Sequence, residues 1–182
     1  MLHVDSSLKQ LVQKQLEERA ARSGSSGRPI TTVKGTALFD LQFRAEVEGH
    51  SFIADERSGG HDAGPAPLRY FVAGIMFCHQ VWTVKTAALM DFDLESLGGE
   101  ISIYSGGGDS SPGETGLAWI SYTVSIDSKL SDDDVRTVVE QATSCTAFQI
   151  VANGTRIELT LKHNGKKILE RVYSGSASAV MR

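Results

Sequence analysis

The chain has 182 residues, 41% hydrophobic and 22% charged, enough for one domain, or one domain with an appendage, and a real core. Its net charge of -4 gives no basic footprint, which argues against nucleic acid and anionic membrane as partners. The longest uninterrupted apolar run, Tyr70 to Cys78, falls far short of the roughly 20 residues a bilayer span needs.

The N-terminal stretch carries neither an apolar signal core nor a small-residue cleavage site, so a cytoplasmic protein is expected. Residues 6–22 read as an amphipathic helix, with Leu8, Leu11, Val12 and Leu16 at helical spacing. Ser23-Gly24-Ser25-Ser26-Gly27 is a flexible linker composition. Residues 1–30 therefore form an appendage, either a docking helix or a solvated arm, ahead of a domain over 31–173 and a flexible tail over 174–182.

From Ala37 to Val47 the apolar residues fall on odd positions, which predicts extended chain with one buried face. The run exceeds a typical strand, so a tight bend near Asp40–Gln42 is expected to split it into a hairpin. Phe52-Ile53-Ala54 is a further short strand, and Ser58 to Pro67 is a loop. Residues 68–90 form the longest apolar-rich segment, and Pro67 suits a helix start. A helix apolar almost all round is expected to be buried, and Cys78 lies inside it. Glu100–Tyr104 and Ile120–Ile126 read as strands, joined through a flexible connection over Gly106–Gly113. Ser131 with Asp134 is a capping-box pattern. Val135, Val138, Val139 and Ala142 follow at helical spacing, and Cys145 is expected to continue that stripe. Ile157–Leu161 is another strand, Asn164-Gly165 a hairpin turn, and Ile168–Tyr173 a last strand.

Known site patterns are mostly excluded. No glycine-rich stretch has a phosphate-loop or dinucleotide frame, and there is no G-x-S-x-G elbow. His3, His50, His61, His79 and His163 show no metal-ligand spacing, so neither a metal nor another cofactor is called for. The two cysteines are 67 residues apart (145 minus 78), which rules out a local C-x-x-C motif. By themselves they are most simply core residues. A reactive thiol needs a nearby cation or helix N-terminus. Cys78 is too deep in its helix for the latter, which leaves Arg44, Arg69 and Arg57 as available cations.

Phe52 to Cys78, with its Gly/Asp loop, Pro-rich helix start and cysteine-bearing apolar helix, resembles the signature of the OsmC/Ohr family of osmotically inducible and organic hydroperoxide resistance proteins. Asp91 to Leu97 resembles the family's turn into the next strand, and Ala142 to Cys145 falls where its second cysteine belongs. The resemblance spans roughly residues 34–162. It implies an α+β fold in which antiparallel sheets wrap around central cysteine-bearing helices, as an intertwined homodimer. It also implies a thiol-dependent peroxidase, acting in oxidative stress defence, that reduces organic hydroperoxides and is reset by an external dithiol. In that reading Cys78 is the peroxidatic nucleophile, Cys145 the resolving thiol and Arg44 the thiolate's partner. Phe77, Trp82 and Phe148 would receive the substrate's apolar part. Two positions depart from the family pattern: Leu68 stands where peroxidatic members carry glutamate, and Thr146 where proline usually follows the second cysteine. The alternative is a family scaffold without efficient peroxidase chemistry that binds a small apolar ligand or a partner.

Overall fold

The computed structural model describes residues 2, 7–22, 31–58, 60–105, 117–174 and 177–181. In chain order the elements are α1 (Leu8–Arg22), β1 (Lys34–Phe39), β2 (Gln42–Val47), β3 (His50–Asp55), α2 (Pro67–Leu89), β4 (Ser96–Ser105), β5 (Leu117–Asp127), α3 (Asp132–Ala142), α4 (Thr146–Ala152), β6 (Ile157–His163), β7 (Lys166–Ser174) and β8 (Ala177–Met181). The fold is α+β, as expected, with one sheet ordered β1-β2-β3 and another ordered β4-β5-β6-β7-β8. The Ser23–Gly27 linker and the Gly106–Gly113 connection lie outside the described residues. The chain divides into two compact units, one of Met1–Leu16 with Gly74–Arg182, the other of Glu17–Ala73.

Alternation along β5 and β6 builds the core of the larger unit. Ile120, Tyr122 and Val124 on β5 stand beside Ile157, Leu159 and Leu161 on β6, and all six are fully buried. Val135, Val138 and Val139 present the apolar stripe of α3 to the same cluster, joined by Phe148 and Val151 from α4. Each such side chain contributes about 1.5–3 kcal/mol on burial. One strand pair departs from the expected antiparallel arrangement: β5 and β6 run parallel. The connection between them passes through α3 and α4, and a helical crossover returns the chain in the same direction.

Ser131 caps α3 by accepting a hydrogen bond from the Asp134 amide at 3.1 Å, as the capping box requires. The helix does not run on to Cys145 as the stripe suggested. Thr143 turns its hydroxyl back on the Glu140 carbonyl at 2.7 Å, and the Gln149 amide takes the Thr143 carbonyl at 2.8 Å. Cys145 is extended (φ -61°, ψ 143°) and starts α4 instead. Hydroxyl side chains compete in this way for helical carbonyls, a local effect that apolar spacing does not register. Asn164 and Gly165, at φ 48° and 79°, make the two-residue turn that Asn-Gly favours. Past β7, Ala177–Met181 pair with it as β8.

Helix α2 is not buried all round. In the larger unit its Ile75, His79, Thr83 and Ala87 are covered, whereas Phe77 is 58% and Val81 51% exposed. Only one side of the helix meets the core cluster, and its uniformly apolar composition hid that asymmetry.

In the smaller unit the 34–47 run breaks at Asp40 (φ 45°), giving the expected hairpin with Ala37 opposite Phe43. The face predicted to be buried is open: β1 is exposed throughout, and Phe39 and Phe43 are 59% and 44% exposed. Three strands alone have no second layer of their own to cover an apolar face. After β3, Asp55 organises the loop into α2. Its Oδ2 accepts from the amides of Ala63 (2.9 Å) and His61 (3.0 Å) and from Gln42 Nε2 (3.2 Å). The Ala63 amide above all holds this carboxyl below its usual range. A Cβ at Gly60 would collide with the Glu56 carbonyl and Asp55, and one at Gly64 with the Ile53 carbonyl, so the loop glycines permit a close approach of backbone.

A polar network ties the ends of β5, α3 and β6. His163 Nδ1 meets Asp132 Oδ1 at 2.7 Å, its Nε2 meets Ser128 Oγ at 3.0 Å, and Asn164 accepts from the Ser128 amide at 3.1 Å. The bond to His163 lowers the Asp132 pKa from 3.8. A carboxyl depressed on folding stabilises above its unfolded pKa and loses that contribution as pH falls through the folded value. The melting-temperature difference between the parent protein and Asp132→Asn should therefore be full at neutral pH and shrink as pH falls through the lowered Asp132 value. Leu159→Ala, which empties part of the β5–β6 core, should cost about 2–5 kcal/mol in urea denaturation.

Candidate thiol site

Cys78 is half-buried midway along α2, and Cys145 is fully buried at the start of α4. Both belong to the larger unit, and Cys78 is near enough to add to the upward shift of the Cys145 thiol. Burial pushes the Cys145 thiol up to about 12. The Phe148 amide opposes that rise, the hydrogen bond and like charge of Cys78 add to it, and the Ala147 amide again opposes. Cys145 is thus a protonated thiol at neutral pH, held beside a more accessible partner.

Behind the thiols lies a buried polar pair that sequence reasoning missed. Tyr122 Oη and His79 Nδ1 are 3.2 Å apart, and neither residue is exposed. Desolvation lowers the His79 pKa to about 4, keeping the ring neutral. Its Nε2 makes no hydrogen bond of normal geometry, although the Val139 carbonyl is near enough to offset a little of the shift. Burial, then the negative charge of an ionised Cys145, raises the Tyr122 pKa. The only sequence signals were the position of His79 beside Cys78 and the inward phase of Tyr122 on its strand.

The other residues singled out from the sequence are placed differently from one another. Phe148 is fully buried between His79 (centroids 5.6 Å apart) and Tyr173 (5.0 Å), which makes it core. Trp82 is partly buried with the Lys85 ammonium 5.7 Å from its ring, and Phe77 is exposed. Arg44 is exposed in mid-β2, between Thr36 and Ile53, in the smaller unit. Arg69 and Arg57 are exposed in that unit as well. The larger unit has an arginine–carboxylate pair of its own, Arg171 Nη2 to Glu140 Oε1 at 2.9 Å, which no sequence pattern announced. Among the described residues no cluster of His, Cys, Asp or Glu could hold a metal, and no helix is long and apolar enough to cross a membrane.

Residues 59–160, more than half the chain, match the family model described as OsmC-like protein. Solved structures share the fold at low identity. The OsmC-like protein of Mycoplasma pneumoniae is 15% identical, with a TM-score of 0.63 over 76% of this chain and 100% of that one. The organic hydroperoxide resistance protein OsmC of Legionella pneumophila is 17% identical, with a TM-score of 0.55 over 76% and 98%. The organic hydroperoxide resistance protein OhrB of Bacillus subtilis is 15% identical, with a TM-score of 0.51 over 75% and 98%. No curated protein sequence matches the chain.

The environment of Cys145 makes a direct prediction. In Cys78→Ser, which removes the Cys78 contributions but keeps the burial that is the largest cause of the shift, alkylation by iodoacetamide should still be slow at pH 8. The rate should climb about tenfold per pH unit, and a plateau near pH 9 would show a thiol unperturbed by burial.

Proposed function

The chain belongs to the OsmC-like protein family, and from that premise we propose that it is a thiol-dependent peroxidase that reduces organic hydroperoxides through Cys78 and Cys145. What supports the proposal is a partly accessible thiol on one helix whose influence reaches a sealed thiol on another. The Cys78 thiolate attacks the terminal peroxide oxygen, the O–O bond breaks, and Cys78 becomes a sulfenic acid as the alkoxide leaves and takes a proton from water to give the alcohol. The Cys145 sulfur then attacks the Cys78 sulfur. The disulfide forms, and the departing hydroxide takes up the Cys145 proton as water. An external dithiol in a reducing, cytoplasmic setting returns both thiols.

In this reading the sealed position of Cys145 has a purpose. A thiol that stays protonated reacts poorly with peroxide, yet it is in place when the sulfenic acid forms next to it. Phe77 and Trp82, within one turn of Cys78, offer apolar surface for the organic part of the substrate, and Phe148 supports the site from inside. Arg44 is the cation proposed for the thiolate. The uncovered apolar faces of the three-stranded sheet and of α2 support an intertwined homodimer, since patches of this kind mark interaction surfaces.

A second reading, a ligand-binding scaffold without efficient peroxidase chemistry, is favoured by Leu68. An exposed leucine stands where a carboxylate would orient the arginine, and loss of such orientation is costly to rate.

Reduced protein titrated with cumene hydroperoxide and with hydrogen peroxide separates the two. Fast stoichiometric thiol loss that favours the organic peroxide, is abolished in Cys78→Ser and stops at a trappable sulfenic acid in Cys145→Ser is the expected result. Arg44→Ala should slow the first step by about 100–1,000-fold, the loss expected when a charge-stabilising group is removed; Arg171→Ala should leave it unchanged. Thiols that stay reduced, or that oxidise slowly and equally with both peroxides, would replace the peroxidase reading with the scaffold reading.

A further inference from the structure

The N-terminal segment, which lies outside the family match, is fastened onto the larger unit. The Leu2 amide donates to the Glu95 carbonyl at 2.7 Å, Lys9 pairs with Asp91 at 2.5 Å, and Val12 is only 2% exposed. Between this segment, α2 and β4 is a cleft of about 350 Å³. Leu2, Leu8, Val81, Val84 and Leu97 give it apolar walls, and its two polar groups are Gln80 and Lys85. Lys85 is held in place, its ammonium donating to Gln15 Oε1 of α1 at 2.9 Å. An ammonium has three donors, and Gln15 takes one of them.

Small-molecule sites share this make-up of apolar walls with a few fixed polar groups, at volumes of about 300–1,000 Å³. Cys78, Val81 and Lys85 also follow one another at i, i+3 and i+7, so they line one face of α2. From Cys78 to Lys85 that face rises about 10 Å.

We propose that this cleft binds a medium-chain alkyl monocarboxylate, its carboxylate on Lys85 and its chain between Leu2, Leu8, Val81, Val84 and Leu97. One fixed cation at the rim of an otherwise aliphatic cleft complements a ligand with a single anionic head and an unbranched apolar tail. A neutral hydrocarbon would leave the remaining ammonium donors without an anionic partner. The N-terminal segment supplies two walls and the residue that positions the cation, which gives the appendage a role in ligand selection. This goes beyond the peroxidase reading and does not depend on it.

The test uses the reduced full-length chain without peroxide, so thiol turnover has no bearing on the result. Sodium decanoate and 1-decanol are titrated below their aggregation limits by calorimetry, with Trp82 emission as a second signal in a Trp119→Phe background. Saturable one-to-one decanoate binding, at least tenfold tighter than decanol, is expected. Lys85→Met should remove that preference while leaving decanol binding in place, and Val81→Phe, which fills the cleft at an exposed position, should weaken both ligands at least tenfold. Absence of saturable decanoate binding overturns the proposal. So does a preference that survives Lys85→Met, or a Val81→Phe protein that binds normally. If Val81→Phe instead changes the sedimentation coefficient and leaves decanoate affinity intact, the face is a contact between copies of the chain and the proposal falls.

Discussion

The candidate site depends on the parallel pairing of β5 with β6. That pairing aligns Tyr122 with Leu159 and sets a continuous buried stripe across the middle of the five-stranded sheet. It also obliges the chain to leave β5, cross over and come back in the same direction, and the crossover is made of α3 and α4. Cys145 sits at the joint between those two helices. Without the crossover there would be no joint, and the second thiol would have no fixed place opposite the first.

The surroundings of the candidate site and the stability of the core therefore draw on the same side chains. Phe148 packs in the core on His79 and Tyr173, three residues from a thiol. His79 is neutral because it is buried, and Tyr122 holds it from the sheet. Low polarity in this region raises the Cys145 pKa and equally makes the unpaired His79 nitrogen costly, typically by about 1–3 kcal/mol.

How much of this was legible in the sequence varied with the scale of the signal. Strong periodicities were read correctly: the 120–126 and 157–161 alternations, the Ser131 cap and the Asn164-Gly165 turn all correspond to observed elements. The errors came where a periodic signal was read without its surroundings. The apolar stripe of α3 pointed at Cys145, but the Thr143 hydroxyl ended the helix first. The α2 composition said "buried", but composition does not reveal how many sides of a helix have a neighbour. For the candidate site, the two cysteines were singled out by resemblance alone, because no local pattern relates positions 67 residues apart (145 minus 78). Arg171 with Glu140 and Tyr122 with His79 were invisible for the same reason.

The network of Ser128, His163 and Asp132 shows how little a set of distances says about chemistry. A serine oxygen 3.0 Å from one imidazole nitrogen and an aspartate oxygen 2.7 Å from the other reproduce the connectivity of a serine-hydrolase triad. Yet Ser128 is 4% exposed, its hydroxyl already accepts from the Leu130 amide at 3.3 Å, and the Asn164 amide crowds the same imidazole nitrogen at 3.2 Å. A substrate carbonyl has no approach, and no oxyanion donors face the hydroxyl across an open space. A three-residue template would score this corner of the molecule as an esterase; its hydrogen bonds fasten two strands and a helix. What separates a nucleophile from a rivet is access, and access is a property of everything around the three residues.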